Sequence, residues 1–185
     1  MDLQHFGRSE KGKRDNNEDA FLAEKNGDYW LFVVADGLDG YMAGEQASAM
    51  ALKILHDEVE KGITDPKTQL ENIAFQIHDE IQQQAETDRK FYGMGTILVV
   101  ALVNKEGKVW IVNIGDSRAY LLGEKIWHTR DLSVVEDLID IGEITREEAR
   151  HHPLKTMILQ ALGETESNNI RPDLYEVDLR DSVLL

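Results

Sequence analysis

The chain has 185 residues, of which 42% are hydrophobic, and this is enough for one sizeable core, so we expect a single domain. Its net charge of −15 argues against nucleic acid and anionic membranes as partners, because both would be repelled, and favours cations. The absence of cysteine excludes disulfides and thiolate metal sites. No apolar stretch has the length of a membrane span or the pattern of a signal peptide, so a cytoplasmic location is expected.

The first predicted elements are a strand at residues 3–6 and a β-hairpin further along. Asn26-Gly27 is a strong turn signal, and the apolar stretches 20–23 and 29–35 lie on either side of it. The hairpin therefore pairs the strand that follows residue 19 with the strand that ends at residue 35.

A polar loop that carries Arg14, Glu18 and Asp19 leads into this hairpin. Such a composition is usual for a solvated loop. Because antiparallel pairing returns the chain to its starting end, we expect Glu18 and Asp36 to reach the same end of the sheet.

Asp36 follows the apolar run 31–35, which is typical of a strand that is covered on both faces or buried in a sandwich core. A carboxylate at the end of such a strand needs a partner. Gly37 leaves its carbonyl free to approach a ligand closely. From Met42 onward apolar residues recur at helical spacing, so the acid lies at a strand-to-helix corner.

Two ordinary structures compete with a metal site at Asp36. Asp-Gly pairs are common in turns, because Asp accepts hydrogen bonds from nearby backbone amides, and this remains the simplest interpretation of Asp36-Gly37 by itself. A calcium loop of the EF-hand kind is excluded, because its twelfth position would be Ala47, where Glu is required.

Three further helices are predicted. Pro66 suits a first helical turn, and an amphipathic stripe over residues 70–85 indicates a helix that faces the core and carries His78 on its outer, solvent-facing side. Shorter helices are expected near residues 132–141 and 145–151, the second of which opens with a Thr-x-x-Glu capping box.

The remaining strand-like stretches are 95–103, 108–113, 118–122, 124–128, 157–162, 171–179 and 183–185. The first three are consecutive and separated by turn residues, which predicts a β-meander. Asp116 lies in the tight turn after the second of them, where Ser117 and Arg118 would satisfy it locally in the simplest interpretation.

Taken together and in order, these motifs resemble those of the metal-dependent protein phosphatases of the 2C type. The matching segments are 14–21, 34–40, 43–48, 95–96, 113–120 and 129–133. A second group is similar to the bacterial branch of that family and comprises 142–149, 152–153 and 161–163. The resemblance spans nearly the whole chain.

The resemblance implies an α+β fold, in which a two-sheet antiparallel β-sandwich is flanked by helix pairs and holds two Mg²⁺ or Mn²⁺ ions at one end. It implies that Asp36 bridges both ions, that Gly37 offers its carbonyl and that Glu18 contacts an ion through water. It further implies that Asp116 is a ligand of a third ion and that Arg14 binds the substrate phosphate. These residue types suit the chemistry, since both ions prefer oxygen ligands.

The activity implied is that of a protein serine/threonine phosphatase in signal transduction. Its substrates would be phosphorylated proteins, hydrolysed by a metal-activated water. One rival interpretation is a catalytically weak or inactive phosphoprotein-binding module on the same fold. Another is an unrelated acidic sandwich that binds cations.

Three positions depart from the resembled pattern. Leu38 stands where many members carry His, and Leu132 replaces a His that is usual between Asp131 and Ser133. Asp39 occupies a position that is usually Gly and adds a charge beside the expected metals, where it either supplies a ligand or distorts the turn.

The end of the chain sets a further expectation. In the resembled family, a segment like residues 175–185 runs into a Ser-Asp-Gly turn whose Asp is a metal ligand, and this turn lies beyond Leu185. We therefore expect residues 1–185 to form a phosphatase domain that stops before its last metal-ligand motifs. Such a chain should bind at most one ion tightly, turn over slowly and self-associate through unpaired sheet edges.

Overall fold

The computed structural model describes residues 3–38, 43–164, 170–179 and 182–185. In these residues two antiparallel sheets pack face to face, and helices cover the outer face of the larger one, which confirms the expected two-sheet α+β fold. The larger sheet has the order β1-β2-β3-β4-β7, made of Asp19–Asn26, Tyr29–Gly37, Thr96–Asn104, Lys108–Ile114 and Asp173–Asp178. The smaller has the order β6-β5-β8, where β5 is Tyr120–Leu122, β6 is Ile126–His128 and β8 is Val183–Leu184.

The hairpin of β1 and β2 confirms the prediction made from Asn26-Gly27. Its loop has two residues, Gly27 adopts a positive φ of 57°, and Asn26 pairs with Tyr29. Along β2, Leu31, Val33 and Ala35 are buried, whereas Val34 on the other face is 49% exposed. On that face Trp30 and Phe32 pack against the core between the sheets, so β2 lies in a sandwich core, one of its two predicted environments, with its second face only partly covered.

Two long helices, α1 (Ala43–Glu60) and α2 (Pro66–Thr87), pack on the larger sheet. The second begins as predicted, because Pro66 occupies its first turn and the Asp65 side chain accepts a hydrogen bond from the Thr68 amide. Its apolar stripe joins the core that the buried side chains of β2, β3 and β4 form. None of the described helices is both long and apolar enough to cross a bilayer.

The predicted position of His78 on the outer, solvent-facing side of α2 is wrong. The side chain is only 3% exposed, because residues near Gly163 cover this side of the helix. A periodic stripe identifies the most apolar face of a helix, but it does not show whether a second segment covers another face.

Two short helices follow β6, close to their predicted positions. Ser133 caps α3 (Val134–Asp140), and its side chain accepts a hydrogen bond from the Glu136 amide. The capping box predicted at Thr145 is present at the start of α4 (Arg146–Ala149), with Glu148 as its second member.

Three predictions about strands are wrong. Residues 3–6, all of them described, form no strand, and Leu3 instead packs against the core between the sheets. The predicted β-meander ends after β4. Strand β7, and not β5, pairs with the edge of β4, so β5 lies in the smaller sheet. Residues 157–162 form two isolated bridges, at Ile158 and Leu162, in place of a strand.

Candidate functional site

Two carboxylates meet at the open end of the hairpin. Asp19 is the first residue of β1 and lies directly opposite Asp36 of β2, so both side chains project from the same face of the sheet. Burial, the charge of Asp19 and a hydrogen bond between the two carboxyl groups raise the pKa of Asp36 to about 6. The structure therefore concentrates negative charge at the residue that the sequence singled out.

Two more charged residues act on Asp36. The positive charge of Arg14 lowers its pKa, whereas the negative charge of Asp116 raises it further. Arg14 is exposed on the loop ahead of β1, and Asp116 is exposed on the turn after β4. Residues far apart in the chain are thus brought to one end of the sandwich, as the sequence predicted for Glu18 and Asp36.

Glu18 lies beside the same strand end and is only 8% exposed. Its backbone carbonyl accepts a hydrogen bond from the Gly37 amide at 3.2 Å. Its carboxylate lies against the first turn of α1, where a methyl group at Gly44 would come within 3.0 Å of Glu18 Oε2. The site therefore contains a fourth acid, whose carboxylate packs closely against α1.

Gly37 permits this approach. A methyl group at Gly37 would lie 2.5 Å from the backbone carbonyl carbon and oxygen of Gly44, much closer than atoms can pack. A side chain at Gly37 would therefore force β2 and α1 apart.

Thr96, the first residue of β3, supports the backbone of Asp36 from the other side. Its hydroxyl donates a hydrogen bond to the Asp36 carbonyl at 2.9 Å and lies 3.1 Å from the hydroxyl of Ser48 on α1. Both side chains are fully buried. Helix α1, β2 and β3 are thus joined by hydrogen bonds directly beneath Asp36.

The turn that carries Asp116 is held by a partner that the sequence did not suggest. Arg118 makes a bidentate ion pair with Asp131, in which Nε and a terminal nitrogen lie 2.5 and 2.6 Å from the two carboxylate oxygens. Partial burial of its carboxyl group and the charge of Asp131 raise the pKa of Asp116, whereas a backbone hydrogen bond and the charge of Arg118 lower it. Arg118 thus makes its ion pair with Asp131 and acts on Asp116 only through its charge.

These donors suit a hard divalent cation. Asp19, Asp36 and Asp116 supply carboxylate oxygens that repel one another, and Mg²⁺ commonly completes its coordination with water. Among the described residues, however, no group of three His, Cys, Asp or Glu residues is already arranged around one metal position. Asp39, for which the sequence left two roles open, lies outside the described residues.

Reasoning from the sequence assigned no function to two acids of this region, Asp19 and Asp131. Asp19 had a usable signal, because counting outward from the two-residue loop after Asn26 pairs it with Asp36. Asp131 had no comparable local signal, since Arg118 reaches it through the folding of the second sheet.

Comparison with known proteins agrees with this geometry. The family model described as protein phosphatase 2C matches residues 6–169. The serine/threonine phosphatase stp of Listeria innocua is 35% identical over 187 residues, covering 96% of this chain and 74% of its own length.

Solved structures extend the agreement to the fold. The crystal structure of the serine/threonine phosphatase Stp1 from Staphylococcus aureus superposes with a TM-score of 0.84 at 32% identity, covering 98% of this chain and 77% of that one. The crystal structure of the catalytic domain of the serine/threonine protein phosphatase PstP in complex with two manganese ions gives a TM-score of 0.75 at 32% identity. The match covers 89% of this chain and 67% of that one. The resemblance found in the motifs is thereby confirmed, and this chain belongs to the protein phosphatase 2C family.

Proposed function

We propose that this protein hydrolyses phosphoserine and phosphothreonine in phosphorylated proteins, with Mg²⁺ or Mn²⁺ bound at Asp36. Membership of the family supports the phosphatase activity, and relatives such as the Listeria innocua protein are named serine/threonine phosphatases. The manganese-bound PstP supports the requirement for a metal, although the choice between the two ions is part of the proposal.

One observation in this chain carries the proposal. Asp19 and Asp36 face each other across β1 and β2, and the charges of Arg14 and Asp116 act on the same carboxyl group. A cross-strand pair of like charges is unfavourable unless a proton or a cation intervenes. A bound cation explains why these acids are placed together at the end of an otherwise apolar core.

Each residue has a proposed role. Asp36 would hold the metal with its carboxylate, Gly37 would offer its carbonyl, and Glu18 would interact with the metal through water. Asp116 is a ligand of a further ion at the neighbouring turn. When bound, the metal supplies an activated water and neutralises charge on the phosphate.

Arg14 has a separate role in substrate binding. Its planar guanidinium would hold two phosphate oxygens and so orient the phosphorus atom for attack by water as the ester P–O bond breaks. Its exposed position ahead of β1 leaves room for a protein substrate to approach.

Two expectations from the sequence stay predictions. Residues 1–185 form one domain, and the protein is cytoplasmic.

Hydrolysis of p-nitrophenyl phosphate and of a phosphothreonine peptide, with and without MnCl₂, tests the proposal. We expect turnover that depends on Mn²⁺ or Mg²⁺, is abolished by chelation and is lost in Asp36→Asn. Phosphopeptide binding without any metal-dependent turnover would contradict the proposal and favour a non-catalytic binding module. Lack of both activities, with cation binding retained, would contradict it in favour of a simple cation-binding protein.

A further inference from the structure

His78 is a buried polar residue that is not one of the charged groups at the end of the sandwich. It lies on α2, and its Nδ1 accepts a hydrogen bond from the Gly163 amide at 3.1 Å. Accepting this bond requires Nδ1 to carry no proton. The side chain therefore acts as a specific acceptor for the backbone of a distant segment and does not merely fill space.

The backbone at Gly163 is closely fitted to α2. Its φ is +84°, and a methyl group there would lie 2.1 Å from Ile81 Cγ2 and 3.0 Å from the Met94 carbonyl oxygen. His78 and Ile81 are neighbours on one side of the helix, since they are three residues apart. Together they leave little freedom for the chain at Gly163.

The residue before Gly163 is paired with the start of β3. Leu162 forms an antiparallel bridge with Thr96, in which the Thr96 amide donates to the Leu162 carbonyl at 3.0 Å and the Leu162 amide donates to the Thr96 carbonyl at 2.9 Å. Both residues are fully buried. A displacement of Leu162 would therefore also displace the backbone of Thr96.

Thr96 completes the connection to the charged site. Its hydroxyl donates to the Asp36 carbonyl, and its backbone is in register with Gly37. Three consecutive contacts and the peptide bond between Leu162 and Gly163 thus join the imidazole of His78 to the strand end that carries Asp36.

We propose that His78 is a positioning residue for the metal centre, which holds the Leu162–Thr96 bridge so that Asp36 keeps the orientation needed for metal binding. This inference rests on the proposed function, because it requires a cation at Asp36. Coupling between two sites is reciprocal in free energy. If the His78 hydrogen bond favours metal binding, metal binding must equally favour the His78 hydrogen bond.

The first experiment uses the unmodified protein. Amide hydrogen exchange at Gly163 is measured with and without MnCl₂, and the Gly107 amide, which donates to the Asn104 carbonyl in the turn between β3 and β4, serves as an internal reference for local opening. We expect Mn²⁺ to slow exchange at Gly163 and to leave the reference unchanged. Identical exchange at Gly163 in both conditions would overturn the inference, whereas failure of the protein to bind Mn²⁺ would contradict the proposed function itself.

The second experiment compares variants by Mn²⁺ titration calorimetry and by kcat. His78→Leu removes the acceptor, and we expect it to weaken Mn²⁺ affinity by about 3- to 10-fold, the scale of one hydrogen bond. His78→Asn places Oδ1 close to the position of Nδ1 and should restore most of the affinity. A purely structural role would lower the melting temperature of both variants and leave Mn²⁺ affinity at the wild-type value.

Gln82→Ala is the matched control. Gln82 lies on the same helix and donates to the Glu164 carbonyl at 2.9 Å, one residue further along the chain from the Leu162–Thr96 bridge than Gly163. Its loss should leave Mn²⁺ affinity unchanged. Equal weakening by Gln82→Ala and His78→Leu would overturn the specific role of His78, since any attachment of this segment to α2 would then suffice.

Discussion

Asp19 and Asp36 lie directly opposite each other in the β1–β2 hairpin, and their carboxyl groups are within hydrogen-bonding range. This relationship follows from the two-residue loop at the other end of the hairpin, because the register of the pair is set there. A turn at one end of the hairpin thus creates a repulsive pair of acids at the other. The pair is favourable only when a proton or a cation lies between the carboxylates.

Asp36→Asn should separate metal binding from folding. We expect it to abolish Mn²⁺-dependent hydrolysis and to leave the metal-free protein no less stable, with a gain of up to about 1 kcal/mol from relieved cross-strand repulsion. Calorimetric unfolding without metal, Mn²⁺ titration and an activity assay would measure the three effects.

Asp28→Asn provides the control for this variant. Asp28 lies in the loop of the same hairpin and forms an exposed ion pair with Lys105. It should bind Mn²⁺ as the wild type does. Unchanged Mn²⁺ affinity in Asp36→Asn itself would rule out Asp36 as a ligand.

Arg14→Ala should impair substrate binding and spare the metal. Because charge-assisted hydrogen bonds contribute about 1.5–3 kcal/mol, KM for a phosphopeptide should rise by at least about 10-fold. Arg8→Ala is the comparison variant, since Arg8 lies on the same loop and pairs with Glu10. A defect of Arg14→Ala that is limited to a lower melting temperature would indicate a structural ion pair.

His56 on α1 should make stability depend on pH. Its Nδ1 lies 2.8 Å from Glu24 Oε1 on β1, and this contact raises the pKa of His56 above 6.5. The pair therefore stabilises the folded state fully below the ordinary His pKa, and this stabilisation is lost as pH rises through the raised value. His56→Gln should lower the melting temperature at pH 6 and much less at pH 9.

Glu24→Gln should reproduce this pH pattern, because either substitution breaks the same pair. Melting curves of both variants and the wild type over pH 5 to 9 would measure it. A difference from wild type that stays constant over this range would show that packing, and not charge, accounts for the contribution of His56.

Gly37→Ala should be strongly destabilising although it adds only one methyl group. The new carbon would overlap the backbone of Gly44, which cannot move without separating α1 from β2, and such overpacking typically costs about 1–3 kcal/mol. Denaturant unfolding would quantify the loss. Wild-type stability in this variant would mean that α1 has room to move away from the strand end.

Much of the candidate site was predictable from local signals. The Asn26-Gly27 turn, the helix start at Pro66, the Thr145 capping box and the strand-to-helix corner at Asp36 each depend on a few neighbouring residues. Such signals act within one turn or one hairpin. They were therefore sufficient to bring Glu18 and Asp36 to one end of the sheet.

Other features depend on contacts between segments that are distant in the chain. The pairing of β7 with β4 sends β5 into the second sheet, and the cover over α2 buries His78. The pairing of Arg118 with Asp131 likewise depends on how the second sheet folds back. The Asn26-Gly27 turn, the Thr145 capping box and the meeting of Glu18 with Asp36 follow from adjacent residues and from one hairpin. Strand order and the cover over each face depend on which edges and surfaces remain free after the rest of the chain has packed.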